Sequence, residues 1–326
     1  MLSTEQRVLA PLRRVTRGTV LQVALLTLAA IAVLRFVGNV DLDAVRHDLG
    51  DADWTWVSLA FVAAQLPRIT QALASLGSIA ADVRFGPLYV LQLATSYLNL
   101  ALPSNLARMT VFVRFFQRQG LPGASAVTAG AIDSFAGNLL QGVLVLALAL
   151  FSSAEVSLHL SAPSGGSRTL LWVVIGITVV AALVAGLVGR IRRSLVERAR
   201  VWWPQVKAAL GTLRRSHKLA LLIGGNLATE VLFALALGLM ARSFGYHLGL
   251  AELILVNSGT SLLSSFIPVP GGIGVVEFSL EVGLTSAGMT ASAAAATILL
   301  YRLATFYLPP LWGFVAFRWL QRNGYL

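Results

Sequence analysis

Phe266-Ile267-Pro268-Val269-Pro270-Gly271-Gly272-Ile273-Gly274-Val275-Val276-Glu277 lies in the middle of an apolar segment covering about residues 250–287. Proline removes a backbone donor and glycine opens turns closed to other residues, so no single helix should run through it. The halves on either side are about 15 residues each, too short to cross ~30 Å of hydrocarbon as a helix. A re-entrant helical hairpin is therefore expected. Gly271, Gly272 and Gly274 would leave backbone amides free at its tip, and the helix that follows presents a positive end to an anionic head group. The run is neither a Walker loop, lacking Lys-Ser/Thr, nor a dinucleotide fingerprint between strands.

A second apolar segment, about 88–119, is interrupted in the same way at Leu102-Pro103-Ser104-Asn105. The two read as copies. Each break is followed by a helix, then Gly120 or Gly288, then a small-residue run: Ala124-Ser125-Ala126-Val127-Thr128-Ala129 against Ala291-Ser292-Ala293-Ala294-Ala295-Ala296. A polar spot then recurs, Asp133 in one copy and Tyr301-Arg302 in the other.

Composition sets the solvent. Of 326 residues, 56% are hydrophobic and 12% charged, against about 25% charged in a typical soluble domain. The mean hydropathy is +0.77. An integral membrane protein is expected, all-α, as one domain over residues 1–326 with no soluble domain large enough for chemistry in water. The net charge of +11 sits in short stretches beside apolar runs, which points to anionic head groups and away from nucleic acid. The chain has no cysteine, which excludes disulfides, thiolate metal sites and cysteine nucleophiles. No cofactor is implied.

Six stretches are long enough to span: about 19–38, 54–77, 122–151, 169–189, 219–243 and 290–317. The first, after Arg7, Arg13, Arg14 and Arg17, is too long for a signal-peptide core and reads as a retained span. With both termini cytoplasmic, the inner segments hold those arginines, Arg84, Arg318, Arg322 and a block from Arg190 to Lys218. The outer segments hold only Arg46, Arg168 and Arg242, and an acidic loop with Asp41, Asp43, Asp48, Asp51 and Asp53. That asymmetry follows the positive-inside rule. Within the block, 192–215 places Trp202 and leucines on one helical face and arginines on the other, an interfacial helix with a break at Pro204. The N-terminal half, about 19–151, then enters its hairpin from the inner side. The C-terminal half, about 219–318, enters from the outer side. Inverted repeats with broken helices near the midplane are a transporter architecture.

Charges inside hydrocarbon are costly and are paired or functional. Arg68, Asp133, Glu230 and Arg302 fall in spans, and Arg108 and Glu277 in the hairpins, each just past its break. Three cations and three anions point to pairing, either to fix helix packing or to meet a polar substrate; an arginine fork suits a phosphate. Asn99 and its neighbours Thr95, Ser96 and Tyr97 could line a wet groove, as could Asn257, Ser258, Thr260, Ser261, Ser264 and Ser265. Hydroxyls and amides also join helices by hydrogen bonds.

The Phe266–Glu277 run resembles the signature of the lysylphosphatidylglycerol synthetase transmembrane region, the flippase-like domain of the multiple peptide resistance factor. Leu300-Tyr301-Arg302-Leu303, Tyr307-Leu308-Pro309 and Trp312-Gly313 fit its C-terminal half; Leu102-Pro103-Ser104, Arg108, Arg114, Gln119-Gly120 and Ala126 resemble its other hairpin. The family's Gly-Glu before that arginine is replaced by Asn105-Leu106-Ala107, and its Glu-Arg pair in the next span by Ile132-Asp133-Ser134. The soluble aminoacyl-transferase domain is absent, so lipid lysylation is not implied. What the resemblance implies is a non-enzymatic protein of the cell membrane that moves a polar-headed lipid, anionic or polyprenyl-phosphate-linked, between leaflets. Arg108 and Arg302 would meet phosphate, Glu277, Glu230 and Asp133 would pair them or meet cationic groups, and Asp133 and Glu230 are candidate proton carriers. Two other readings stand beside it. One is a polyprenyl-phosphate-dependent glycosyltransferase using Asp41 and Asp43; the other is a non-transporting subunit of envelope assembly. Beyond lipids, the partner classes are a second copy of the chain and envelope-synthesis enzymes.

Overall fold

The computed structural model describes residues 42–79, 81, 83–101, 105–155, 216–266 and 270–326. The expected spans at 19–38 and 169–189, the interfacial helix at 192–215, Asp41 and the residues at the heart of both breaks lie outside them. The described chain is all-α, with no strand among the described residues. In order come α1 (Leu42–Asp51), α2 (Trp54–Ala63), α3 (Pro67–Ser78), α4 (Phe85–Ala101), α5 (Asn105–Arg118), α6 (Gly123–Glu155) and α7 (Ser216–Arg242). Then follow α8 (Leu250–Phe266), a 3-10 turn at Pro270–Gly272, α9 (Val275–Ser286), α10 (Ala291–Arg302), a π turn at Leu303–Tyr307 and α11 (Pro309–Arg322).

Local chemistry sets the ends. Asp53 caps α2 by accepting from the Thr55 amide at 2.9 Å, and Thr290 caps α10 through the Ala293 amide at 3.3 Å. Gly120 and Gly288, at φ +85° and +96°, turn the chain out of α5 and α9 in the left-handed region. The next amide then closes back, Leu121 onto the Phe116 carbonyl at 3.0 Å and Met289 onto Leu284 at 3.1 Å.

Three described helical runs are long and apolar enough to cross a membrane: Ser125–Leu148, His217–Arg242 and Ala291–Arg322. Their outward faces are apolar. Phe135, Leu139, Val143 and Leu146 form an exposed stripe on α6, and Leu311 and Val315 on α11 are each 65% exposed. Such surface is at home against acyl chains and not in water. The expected span at 54–77 is instead two helices of 10 and 12 residues. Pro67 has no amide to donate, so the chain tightens at Ala64–Leu66, where the Gln65 and Leu66 amides bond three residues back. Both pieces still pack along α7. The last run bends for a similar reason. Pro309 and Pro310 lack donors, and the Leu308 amide reaches five residues back to Leu303 at 3.0 Å.

At the centre, α3 crosses α7 almost backbone to backbone. The Thr70 and Thr229 hydroxyls meet at 2.6 Å, Gly225 abuts Thr70 and Ala74, and Gly77 abuts Lys218 and Leu222. Each step along α3 is a step back along α7, so the two are antiparallel. Small residues permit this approach where lipid supplies no hydrophobic drive. Exchanging α3 with α7, α4 with α8, α5 with α9 and α6 with the α10–α11 run carries several helix contacts onto one another. The α3–α4 contact maps onto α7–α8, α5–α6 onto α9–α10, α3–α6 onto α7–α10, and α4–α11 onto α8–α6. The helices α4 and α8 are each 17 residues long. The feet of α8 and α9 lie in a cluster with Ala52, Val57 and Met240. Those of α4 and α5 lie in another with Ile79, Leu121 and Leu320. Because Gly77 faces Leu222, these clusters occupy opposite ends of the α3–α7 pair.

A Cβ at Gly225 would sit 2.6 Å from the Ala74 nitrogen and 2.8 Å from the Thr70 carbonyl, whereas one at Gly224 meets nothing within 4 Å. Gly225→Ala is therefore expected to destabilise the protein by about 1–3 kcal/mol. Gly224→Ala should be neutral or gain up to about 1 kcal/mol of helix propensity. Thermal unfolding in detergent compares them; equal melting temperatures would contradict the close crossing.

Candidate functional site

The break between α8 and α9 carries a cluster of polar groups. Gly271, Gly272 and Gly274 take φ values of +66°, +64° and +87°, which L side chains rarely adopt. At Gly271 a side chain would also overlap the Phe306 ring. Glu277, in the first turn of α9, reaches back so that its Oε2 accepts from the Gly274 amide at 2.6 Å. Its other oxygen accepts from Arg302 Nε at 2.7 Å. Arg302 Nη2 donates to the Gly271 carbonyl at 3.1 Å, and the guanidinium lies 4.2 Å from the Phe306 ring centroid and 5.6 Å from that of Tyr307. Both side chains are buried, and the 3-10 turn packs against α4. One ion pair thus ties the tip between α8 and α9 to the end of α10.

Two further carboxylates are held without a cation among the described residues. Glu230 on α7 is 6% exposed. It accepts from Gln141 Nε2 at 2.7 Å, Asn257 Nδ2 at 3.3 Å and the Ser258 hydroxyl at 2.8 Å. The Tyr301 hydroxyl donates to Asn257 Oδ1 at 3.0 Å. Asp133 on α6 accepts from the Ser75 hydroxyl at 2.6 Å, with the Asn226 side chain beside it. Gln92 donates to Ser75 at 2.9 Å.

A family model described as the lysylphosphatidylglycerol synthase TM region matches residues 20–313. The chain belongs to that family. Comparison with curated proteins gives no match. As a member of the lysylphosphatidylglycerol synthase TM-region family, with long apolar helices, the chain is a membrane protein.

Within this family fold, the six charges singled out in the sequence are not seen as three pairs among the described residues. Among the described residues only Glu277 and Arg302 of the six are joined. Arg68, half-buried on α3, donates to Gln71 at 2.9 Å and meets no carboxylate among the described residues. Arg108 lies in the first turn of α5, with its side chain outside the described set, and Asn99 is half-buried near the end of α4. Asp43 is exposed in the first turn of α1, where a carboxylate complements the helix dipole. Reading the sequence alone missed Gln141, Ser75, Gln92, Asn226 and Phe306. A signal was present: Asp133 and Gln141 lie eight apart on α6, and Asn226 and Glu230 four apart on α7, each set on one helical face.

Removing one member of a buried pair strands the other charge, at a cost of about 3–5 kcal/mol. Arg302→Gln and Glu277→Gln should each lower stability by that order, and the double variant by clearly less than their sum. Unfolding temperatures of the three variants check this; strict additivity would mean the two side chains act independently.

Proposed function

We propose that this protein moves, or helps to move, a lipid with a phosphate-bearing head group between the leaflets of the cell membrane. The observation that carries the reading is the buried Arg302–Glu277 pair at the tip of the α8–α9 break. A guanidinium offers five donors in a plane that matches phosphate. Among the described residues, hydrogen bonds use its Nε and Nη2. Opposite-end feet of the α4–α5 and α8–α9 pairs, with antiparallel α3 and α7, support two re-entrant hairpins in an inverted repeat, with six spans in all. In this topology both termini are cytoplasmic. The head group passes between the tips while the tails remain in lipid. Anionic phospholipids and polyprenyl-phosphate-linked lipids both fit this chemistry, and Arg108 is the counterpart contact on the other hairpin.

Purified protein in vesicles of phosphatidylcholine carrying fluorescent phosphatidylglycerol or a fluorescent polyprenyl phosphate tests the proposal. Wild type should move at least one of them between leaflets. Arg302→Gln should slow that movement on the order of tenfold, the equivalent of ~1.4 kcal/mol at the barrier. Rates equal to those of protein-free vesicles for both lipids, or an Arg302 variant as fast as wild type, would rule the proposal out.

A further inference from the structure

The two carboxylates that meet no cation among the described residues belong to one polar ladder. On α6, Asp133, Gly137 and Gln141 follow at intervals of four; on α7, Asn226 and Glu230 do the same. Asn226 meets Asp133 and lies 3.0 Å from where a Cβ of Gly137 would be, and Gln141 meets Glu230. The ladder begins at Gln92 and Ser75, runs about 12 Å along α6 and ends at Asn257, Ser258 and Tyr301. Tyr301 precedes Arg302, so it finishes beside the tip. We propose that Asp133 and Glu230 are the proton-binding sites through which a pH gradient drives lipid movement, a proposal that rests on the lipid-moving reading above.

Three features carry it. First, among the described residues no other charge neutralises these groups. Of the titratable groups on the helices packed against α6 and α7, Arg68 turns to Gln71 and Glu252 accepts the Gly249 amide. Lys218 donates to the Leu76 and Ala81 carbonyls, Arg242 lies over Trp56, and Arg302 is paired with Glu277. Arg114, Arg118 and His217 are exposed, and Arg108 is on the first turn of α5. Tyr301 reaches Glu230 only through Asn257.

Second, the shell around Glu230 is made of donors. Two amide nitrogens and a hydroxyl point at its oxygens, and the Asn257 oxygen is turned away to Tyr301. A sodium ion needs oxygens where this site presents N–H groups; a proton needs only the carboxylate. Third, protonation has a mechanical consequence. Asn257 and Ser258 both donate to Oε2, so a proton placed on that oxygen must displace one of them, because a carboxylic acid carries a donor of its own. The three bonds to Glu230 join α6 and α8 to α7, and α8 leads to the tip. The chemistry balances simply: an O–H bond forms with a proton from water on one side and breaks to water on the other. One proton moving with one singly charged head group carries no net charge across the membrane.

Vesicles of phosphatidylcholine with fluorescent phosphatidylglycerol, loaded with the pH dye pyranine, provide the test. A gradient of about one pH unit, a factor of about ten in proton activity, should accelerate lipid movement by wild type several-fold. It should also acidify the lumen only when the protein is present. Glu230→Gln and Asp133→Asn should abolish both responses while keeping their unfolding temperatures close to wild type. The wild-type result needs no variant to fold. Lipid movement that ignores the pH gradient, or that follows a sodium gradient at equal pH, would overturn the proton sites and leave the lipid reading standing. No lipid movement under any gradient would remove the lipid reading and this inference together.

Discussion

In hydrocarbon a guanidinium must carry its counter-charge with it, and Arg302 meets that constraint through Glu277. Much of the surrounding architecture depends on this. The carboxylate has to stand at the N-terminal end of α9, where the Gly274 amide holds its second oxygen. That position exists only because the chain turns through three glycines with positive φ. The Phe306 ring in turn occupies the space that the missing side chain of Gly271 leaves, and it covers the guanidinium. Charge, turn and ring form one closed arrangement.

The scaffold that holds this arrangement has no comparable ion pair among the described residues. The α3–α7 crossing relies on glycine, alanine and threonine, so its strength comes from close contact, from one hydroxyl pair and from the Lys218 ammonium on the Leu76 carbonyl. Around it the four-helix sets on either side share part of their packing. Repetition does not extend to the polar groups. Asp133 is bonded by neutral donors, whereas its counterpart position is Tyr301, next to the paired Arg302. One scaffold thus carries two chemically different interiors.

The break at Pro268–Gly274 and the run of small residues after Gly288 were legible in the sequence because proline and glycine act locally. So was the membrane environment, from composition alone. Which charges would meet was not. Six ionisable residues in apolar segments implied pairing, yet Asp133 and Glu230 found amides and hydroxyls on other helices instead. Partners such as Ser75 with Asp133, or Gln141 with Glu230, are set by the rotation of packed helices about their axes. Hydrophobic periodicity in nearly all-apolar helices hardly encodes that rotation. The turn at Ala64–Leu66 was also missed, although Pro67 marked it.

The π turn at Leu303–Tyr307 holds one residue more than a regular helix would. Straightening it would rotate everything beyond by about 100° relative to α10. Arg302 on one side reaches the tip, and Gly313 on the other nests against Ser96 and Leu93 of α4. A regular helix could satisfy one of these engagements and not both. The surplus residue therefore acts as a phase shifter that sets two halves of one rod to different bearings.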